Sequence, residues 1–284
     1  MTVTHADTEV RTHLRAMWAA VAPGWAEHAD YVDARGRRLT ERMLAVTSPL
    51  PGQRVLELAC GAGDVGLAAA ELVAPGGEVV LSDAVPEMTA IAARRAAARG
   101  VDSVRTSVYD VERIAEPDAS FDVVVCREGL MFAPDPGRAA AEIGRVLRPG
   151  GRFAVAVWGP RARNPWLGIV LDATSAQLGA PFPPPGIPGP FALEDADRLA
   201  ALLTDAGLAD VAVEEIEVPL HAASAQEWWT RTCALAGPLA KVLAALPPAA
   251  ADGIRADALA AAAAFEDDGG LTVPGVTLLA SGRR

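Results

Sequence analysis

Between residues 55 and 66 the chain reads Val55-Leu56-Glu57-Leu58-Ala59-Cys60-Gly61-Ala62-Gly63-Asp64-Val65-Gly66. An apolar run enters a glycine turn and a helix follows, an arrangement that lets a ligand approach the backbone closely. Gly61, Gly63 and Gly66 spell GxGxxG, and Asp83 stands 17 residues after Gly66. This set suits a nucleoside cofactor: glycines admit it, and a carboxylate closing the second strand accepts both ribose hydroxyls. The plainer reading of Asp83 is a cap for the helix that starts at Pro86, but its spacing from the glycine loop favours the ribose. Asp110, in Val108-Tyr109-Asp110-Val111, follows the third strand. It offers an acceptor to an adenine amino group, or is an ordinary turn aspartate.

Charge separates the two cofactors that the glycine pattern admits. A nicotinamide dinucleotide presents an anionic pyrophosphate to the helix start. Here Glu57 and Asp64 flank the loop, and no Lys or Arg stands between Arg54 and Arg94. S-adenosylmethionine presents an ammonium and a sulfonium alongside its carboxylate, and acidic residues suit cations at short range in a low dielectric. Glu57 is unusual inside a strand, because buried carboxylates need partners. Its partner is either the glycine-loop amides, which makes it a brace for the turn, or a cofactor ammonium.

The elements that must position these residues alternate. Strands are expected over 54–58, 78–82, 104–108, 121–126 and 152–158. Helices are expected over 64–73, 86–99 and 137–147, with stops at Pro75-Gly76-Gly77, Gly100 and Pro149-Gly150-Gly151. Such alternation implies a parallel sheet covered by helices, and runs like Val123-Val124-Val125 suit strands buried on both faces. Upstream, 8–21 and 25–46 read as helices split at Pro23-Gly24. Downstream come a helix over 164–178, a proline-rich loop over 180–191, a helix over 194–206 and a strand over 211–218. Helices over 226–246 and 249–265 follow, then a last strand over 273–280 whose Pro274 marks an edge or a bulge. The chain thus divides into an N-terminal helical cap (1–48), a cofactor-binding α/β core (49–158), a lid insertion (159–193), core again (194–220), a helical lid insertion (221–270) and a last core strand (271–284).

Two further segments complete a pattern: Phe-Asp-Val-Val-Val-Cys-Arg-Glu-Gly-Leu-Met-Phe over 121–132, and Arg-Val-Leu-Arg-Pro-Gly-Gly opening 145–157. Together with the glycine loop, Asp83 and Asp110, their order and spacing over about residues 50–158 resemble the class I S-adenosylmethionine-dependent methyltransferases. The likeness is to the ubiquinone/menaquinone-biosynthesis methyltransferase-like group in particular. It implies an α/β Rossmann-like, seven-stranded, mostly parallel sheet of order 3-2-1-4-5-7-6, strand 7 antiparallel, with N-terminal helices and an inserted helical lid. It also implies S-adenosylmethionine as cofactor and S-adenosylhomocysteine as product. By the same resemblance Glu57, Ala59, Gly61 and Gly63 line the methionine end, Asp83 and Met88 hold the ribose and flank the adenine, and Asp110 and Val111 contact adenine. Arg127 lies by the methionine portion, mainly through its backbone carbonyl. Trp25 and Tyr31 are the aromatic residues of an N-terminal helix that would close the site, or are ordinary helix packing.

Methyl transfer is an in-line displacement that asks chiefly for alignment and exclusion of water. A base is needed when the acceptor must lose a proton, as a phenol or an enol does. His28, near the lid aromatics, His221, after the sixth core strand, and Glu128, at the end of strand 4, are the candidates. Either histidine is more simply read as a solvated surface residue, and Glu128 as a contact for a polar acceptor group or a partner for an arginine. Trp166, Phe182, Phe191, Trp228 and Trp229 all fall in the inserted segments. They suggest a pocket for a flat or apolar small-molecule acceptor, methylated at oxygen or carbon.

Composition narrows the partners. The 284 residues carry a net charge of −11, and 51% are hydrophobic. That balance disfavours nucleic acid, whose binding needs Lys and Arg to neutralise phosphates. Cys60, Cys126 and Cys233 are widely spaced, show no metal-ligand pattern and suit a reducing, cytoplasmic setting. No run of about 18 apolar residues suggests a membrane span, and the start of the chain lacks the apolar stretch of a signal peptide. A lid packed against a second copy, as a homodimer, is a hypothesis. An NAD(P)-dependent oxidoreductase and a non-catalytic binding module on the same fold stand as alternatives.

Overall fold

The computed structural model describes residues 5–284, so the first four residues of the expected cap lie outside the described chain. Helices α1 (His5–Glu27) and α2 (Ala29–Thr47) lead into the core. There β1 (Arg54–Leu58), α3 (Asp64–Val73), β2 (Glu78–Asp83), α4 (Pro86–Ala98) and β3 (Val104–Val108) alternate. β4 (Phe121–Arg127), α5 (Pro136–Val146) and β5 (Leu147–Trp158) complete the parallel part. Next come α6 (Pro165–Leu178), α7 (Ala196–Asp205), β6 (Ala209–Glu217), β7 (Leu220–Ala222), α8 (Ala225–Leu235), α9 (Gly237–Ala245) and α10 (Pro248–Ala262). The chain closes with β8 (Glu266–Asp267), β9 (Gly270–Val273) and β10 (Val276–Arg283).

The main sheet has seven strands in the order β3-β2-β1-β4-β5-β10-β6. The first five run parallel, and β10 is antiparallel to both β5 and β6. With β10 as the seventh core strand, this is the order expected from the resemblance. Apolar side chains divide by the two-residue period of a strand. Leu56, Val124, Phe153 and Val155 face the α5, α6 and α7 side, whereas Val55, Val123, Val125 and Ala154 face the α2 and α3 side. The central strands are therefore apolar on both faces along most of their length, with Glu57 in β1 and Arg127 at the end of β4 among the charged exceptions. The order reverses between β1 and β4, and a ligand crevice opens at the carboxyl ends of strands at such a point.

Several expected boundaries move. Pro23 lies inside α1, and the break falls at His28, whose φ of −102° and ψ of 16° leave helical geometry. Burial of Met17, Val21 and Ala22 holds the proline-containing turn in place. Pro149-Gly150-Gly151 does not stop a helix before a fresh strand. β5 begins at Leu147 and absorbs the segment as an irregularity, with Gly150 at φ 79°. The helix expected over 226–246 is two helices, broken at Ala236 before Pro238. Pro274 separates two strands rather than bulging one: β9 ends at Val273 and β10 starts at Val276. β9 belongs to a second sheet of order β7-β9-β8, so the 221–270 insertion is only partly helical.

Candidate active site

β1 delivers the chain into a turn of left-handed residues: Ala59 at φ 50°, Gly61 at 50° and Gly63 at 84°. A Cβ on Gly61 would stand 3.2 Å from the Trp25 ring, so α1 covers this turn closely. Asp83, at the end of β2, accepts the Gly61 N–H at 3.0 Å and the Val85 N–H at 3.0 Å. Burial nevertheless pushes its carboxyl up to about 6, against those donors. Glu57 is 1% exposed and accepts the Gly66 N–H at 2.8 Å, which ties β1 to the first turn of α3. Burial raises its carboxyl well above the usual range, and the nearby Asp64 adds to that. Asp64 forms a buried ion pair with Arg127 at the end of β4, and Arg127 also donates to Thr40 Oγ1 at 3.1 Å.

These groups line a cleft of about 1040 Å³, its open mouth included. Glu57, Ala59, Gly61, Asp83, Met88, Asp110, Val111, Arg127 and Trp25 are in its wall, nine of the eleven residues expected to hold the cofactor. The other two are placed differently. Gly63 is absent from the lining: it forms the turn into α3, where a Cβ would meet Leu81 at 2.9 Å and Ala92 at 3.0 Å. Tyr31 lines a second cavity. The Arg127 guanidinium is engaged within the protein, by Asp64 and Thr40. Asp110 is engaged by Arg11 at 2.9 Å and by Arg15 at 3.4 Å. Those arginines, with Leu14 and Trp18, place one face of α1 in the cleft. The spacing 11, 14, 15, 18, 25 along a helix is the sequence signal that would have found them.

The second cavity, of about 1140 Å³, lies beside the first under the inserted helices. Trp18, Trp25, Arg127, Glu128 and Phe132 line both. Trp158, Trp166, Phe182 and Trp228 make much of the remaining wall, whereas Phe191 and Trp229 are not in it. Glu128 has φ 57°, a strained setting for a residue with a side chain and one that concentrates at functional sites. It accepts from Thr277 Oγ1 at 3.3 Å, and burial raises its carboxyl while Arg127 and Arg35 draw it back. Neither histidine candidate is in either wall. His28 sits at the α1–α2 junction. His221 is exposed on β7, where its Nδ1 meets Thr272 Oγ1 at 3.0 Å. Residue type and place along the chain brought them forward; neither lines the cleft or the cavity.

An open α/β sheet with a glycine-turn cleft at its switch point defines a nucleoside-cofactor enzyme class, and the acidic cradle of Glu57, Asp64 and Asp83 is a poor host for a pyrophosphate. A methyltransferase-domain model matches residues 55–151. The nocamycin O-methyltransferase of Saccharothrix syringae is 34% identical over 71% of this chain and 78% of its own length. A demethylmenaquinone methyltransferase of Thermus thermophilus is 41% identical over 45% of the chain and 56% of its own length. The YcgJ protein of Bacillus subtilis superposes with a TM-score of 0.60 at 21% identity, over 87% of this chain and 98% of that one. The chain belongs to the class I S-adenosylmethionine-dependent methyltransferases. Its residues fit that cofactor: Gly61 leaves room that a Cβ would take from Trp25, and three carboxylates surround the turn.

Proposed function

We propose that this enzyme methylates a small, flat, largely apolar acceptor at oxygen or carbon, with the acceptor held in the second cavity. The shared wall of Trp18, Trp25, Arg127, Glu128 and Phe132 carries this reading, because it sets an aromatic cavity directly beside the cofactor cleft. S-adenosylmethionine, when bound, supplies an electrophilic methyl group. Glu57 and the backbone at Ala59 and Gly61 receive its methionine end, Asp83 its ribose, and Met88 with Val111 its adenine. Asp110 reaches the adenine edge while Arg11 and Arg15 hold α1 over it. Trp25 closes the cleft, with its Nε1 donating to the Leu235 carbonyl at 3.1 Å. Glu128 is the group placed to take a proton from a phenol or an enol, since it borders both spaces.

A net charge of −11 favours such an acceptor over nucleic acid. The three cysteines are unpaired, in keeping with a reducing cytoplasmic setting. Among the described residues no helix is long and apolar enough to cross a membrane.

The test is transfer of radiolabelled methyl from S-adenosylmethionine into a panel of aromatic phenols, cyclic enols and aryl acids, with tRNA and total protein as parallel acceptors. Label is expected in the organic extract, and Glu128→Gln is expected to lower kcat about 100-fold or more, the usual worth of a general base. His28→Asn and His221→Gln stay within about twofold. Label found only in tRNA or protein would refute the small-acceptor reading.

A further inference from the structure

The second cavity contains a buried cation that, among the described residues, no carboxylate contacts directly: Glu128, in the same wall, attracts it but forms no ion pair with it. Arg35 enters it from α2, and its Nε and Nη2 are buried without a hydrogen-bond partner, as is the Tyr31 hydroxyl one helical turn earlier. The Arg35 guanidinium lies 4.1 Å from the Trp166 ring centroid and 5.0 Å from that of Trp158. Its flat face is therefore occupied by indole, which leaves the N–H edge for a ligand. Among the described residues no carboxylate forms an ion pair with it, whereas the other two arginines of the wall are matched: Arg127 by Asp64 and Arg231 by Glu227. Burial lowers the affinity of Arg35 for its proton, and the attraction of Glu128 offsets that only in part, the direction expected of a desolvated cation without a direct partner. Buried charges are normally paired, and an unpaired one is a vacancy for an opposite charge.

Building on the small-acceptor reading above, we infer that the acceptor carries an ionised oxygen group, a carboxylate or an enolate, received by the Arg35 guanidinium and the Tyr31 hydroxyl. Guanidinium matches the two oxygens of such a group in a bidentate fork, and the tryptophan wall accepts the flat conjugated body that bears it. Both groups lie in the acceptor cavity and not in the cofactor cleft, so Arg35 selects the acceptor without serving the cofactor.

The experiment titrates 2-naphthoate, its neutral isostere 2-naphthamide, and dimedone, an enolate at neutral pH, into protein saturated with S-adenosylhomocysteine. Tryptophan fluorescence and calorimetry report binding. Wild type is expected to bind naphthoate at least tenfold more tightly than naphthamide. Arg35→Met is expected to abolish that preference while leaving naphthamide and S-adenosylhomocysteine affinity within about twofold, which also shows that the variant is folded. Arg35→Lys should retain part of it. Dimedone binding that depends on Arg35 would assign an enolate, and naphthoate binding that depends on it a carboxylate. Equal affinity for naphthoate and naphthamide in wild type, or a preference that survives Arg35→Met, overturns the inference. If neither aryl probe binds, the acceptor cavity itself is refuted, and the inference falls with it.

Discussion

Glu57 braces the turn and, in the function proposed above, receives the cofactor ammonium, two roles that one substitution can separate. Its Oε2 receives the Gly66 N–H at 2.8 Å, and the residue is 1% exposed and lines the cofactor cleft. Glu57→Gln keeps an acceptor for Gly66 but removes the charge. Burial, and repulsion from Asp64 and Asp83, raise the Glu57 carboxyl well above its ordinary range. A group whose folded value is raised costs the folded state as pH climbs from the unfolded carboxylate range through that raised value. The glutamine variant therefore unfolds at an equal or higher temperature than wild type at pH 7.5, and its stability declines less with pH. One proton accounts for a slope of up to about 1.4 kcal/mol per pH unit. Cofactor binding moves the other way. Loss of a hydrogen bond to a charged group removes about 1.5–3 kcal/mol, which is roughly 10- to 150-fold in Kd. Calorimetric titration with S-adenosylhomocysteine reads the affinity, and thermal unfolding across pH 5–9 reads the stability. A Kd within threefold of wild type would show that Glu57 only braces the turn, and the ammonium contact would be withdrawn.

Asp83, with its carboxyl raised to about 6, gives a second pH signature. S-adenosylhomocysteine affinity should be flat above about pH 7 and fall up to about tenfold per unit below 6 as the ribose acceptor protonates, while the unliganded fold gains stability on the same descent. Asp83→Asn should flatten that limb, and an unchanged profile in the variant would assign the titration elsewhere. Gly36→Ala probes the Arg127 anchor: a Cβ there would stand 2.1 Å from Arg127 Nη1, whose freedom to retreat is limited by Asp64 and Thr40. Overpacking of that kind should cost on the order of 1–3 kcal/mol in denaturant unfolding, and an unchanged midpoint would mean that the arginine is not held.

The cofactor half of the site was legible because its information is local. Val55 to Gly66 encode strand, turn and helix in twelve consecutive letters, and Asp83 follows from the end of the next apolar run. Continuous apolar runs gave the parallel strands directly, since both faces of β1 and β4 are covered. The strand order needed the family resemblance, for nothing in the letters says that Val276–Arg283 inserts between β5 and β6. Where packing decides, local rules misled. Pro23 stays helical because its neighbours are buried, and three short strands at the two ends of the helical insertion pair with one another, joining Leu220 to Val273. Arg35 is the clearest case. In the sequence it is one of the basic residues 35, 37 and 38, indistinguishable from a solvated helix face; only the arrival of Trp158 and Trp166 around it makes it a site.

Arg127 and Glu128 show why the two halves meet where they do. The residues that end β4 stand where the strand order reverses, so space opens there on both sides of the sheet. Arg127 is drawn toward Asp64 and Thr40, on the side of α2 and α3, and so completes the floor of the cofactor cleft. Glu128, set at φ 57° with its N–H donating to the Ala156 carbonyl at 2.7 Å, is directed instead toward Thr277 on β10. Consecutive residues thus carry opposite charges to different partners while both border the two cavities. The positive member is satisfied inside the protein by a buried aspartate. The negative member has one hydroxyl partner and a carboxyl raised by burial, which leaves it able to take a proton at the seam. On this geometry a charge-conserving Glu128→Asp should retain more turnover than Glu128→Gln, although its shorter reach weakens the Thr277 contact. Equal loss in both would mean that Glu128 acts by shape and hydrogen bonding rather than by its charge.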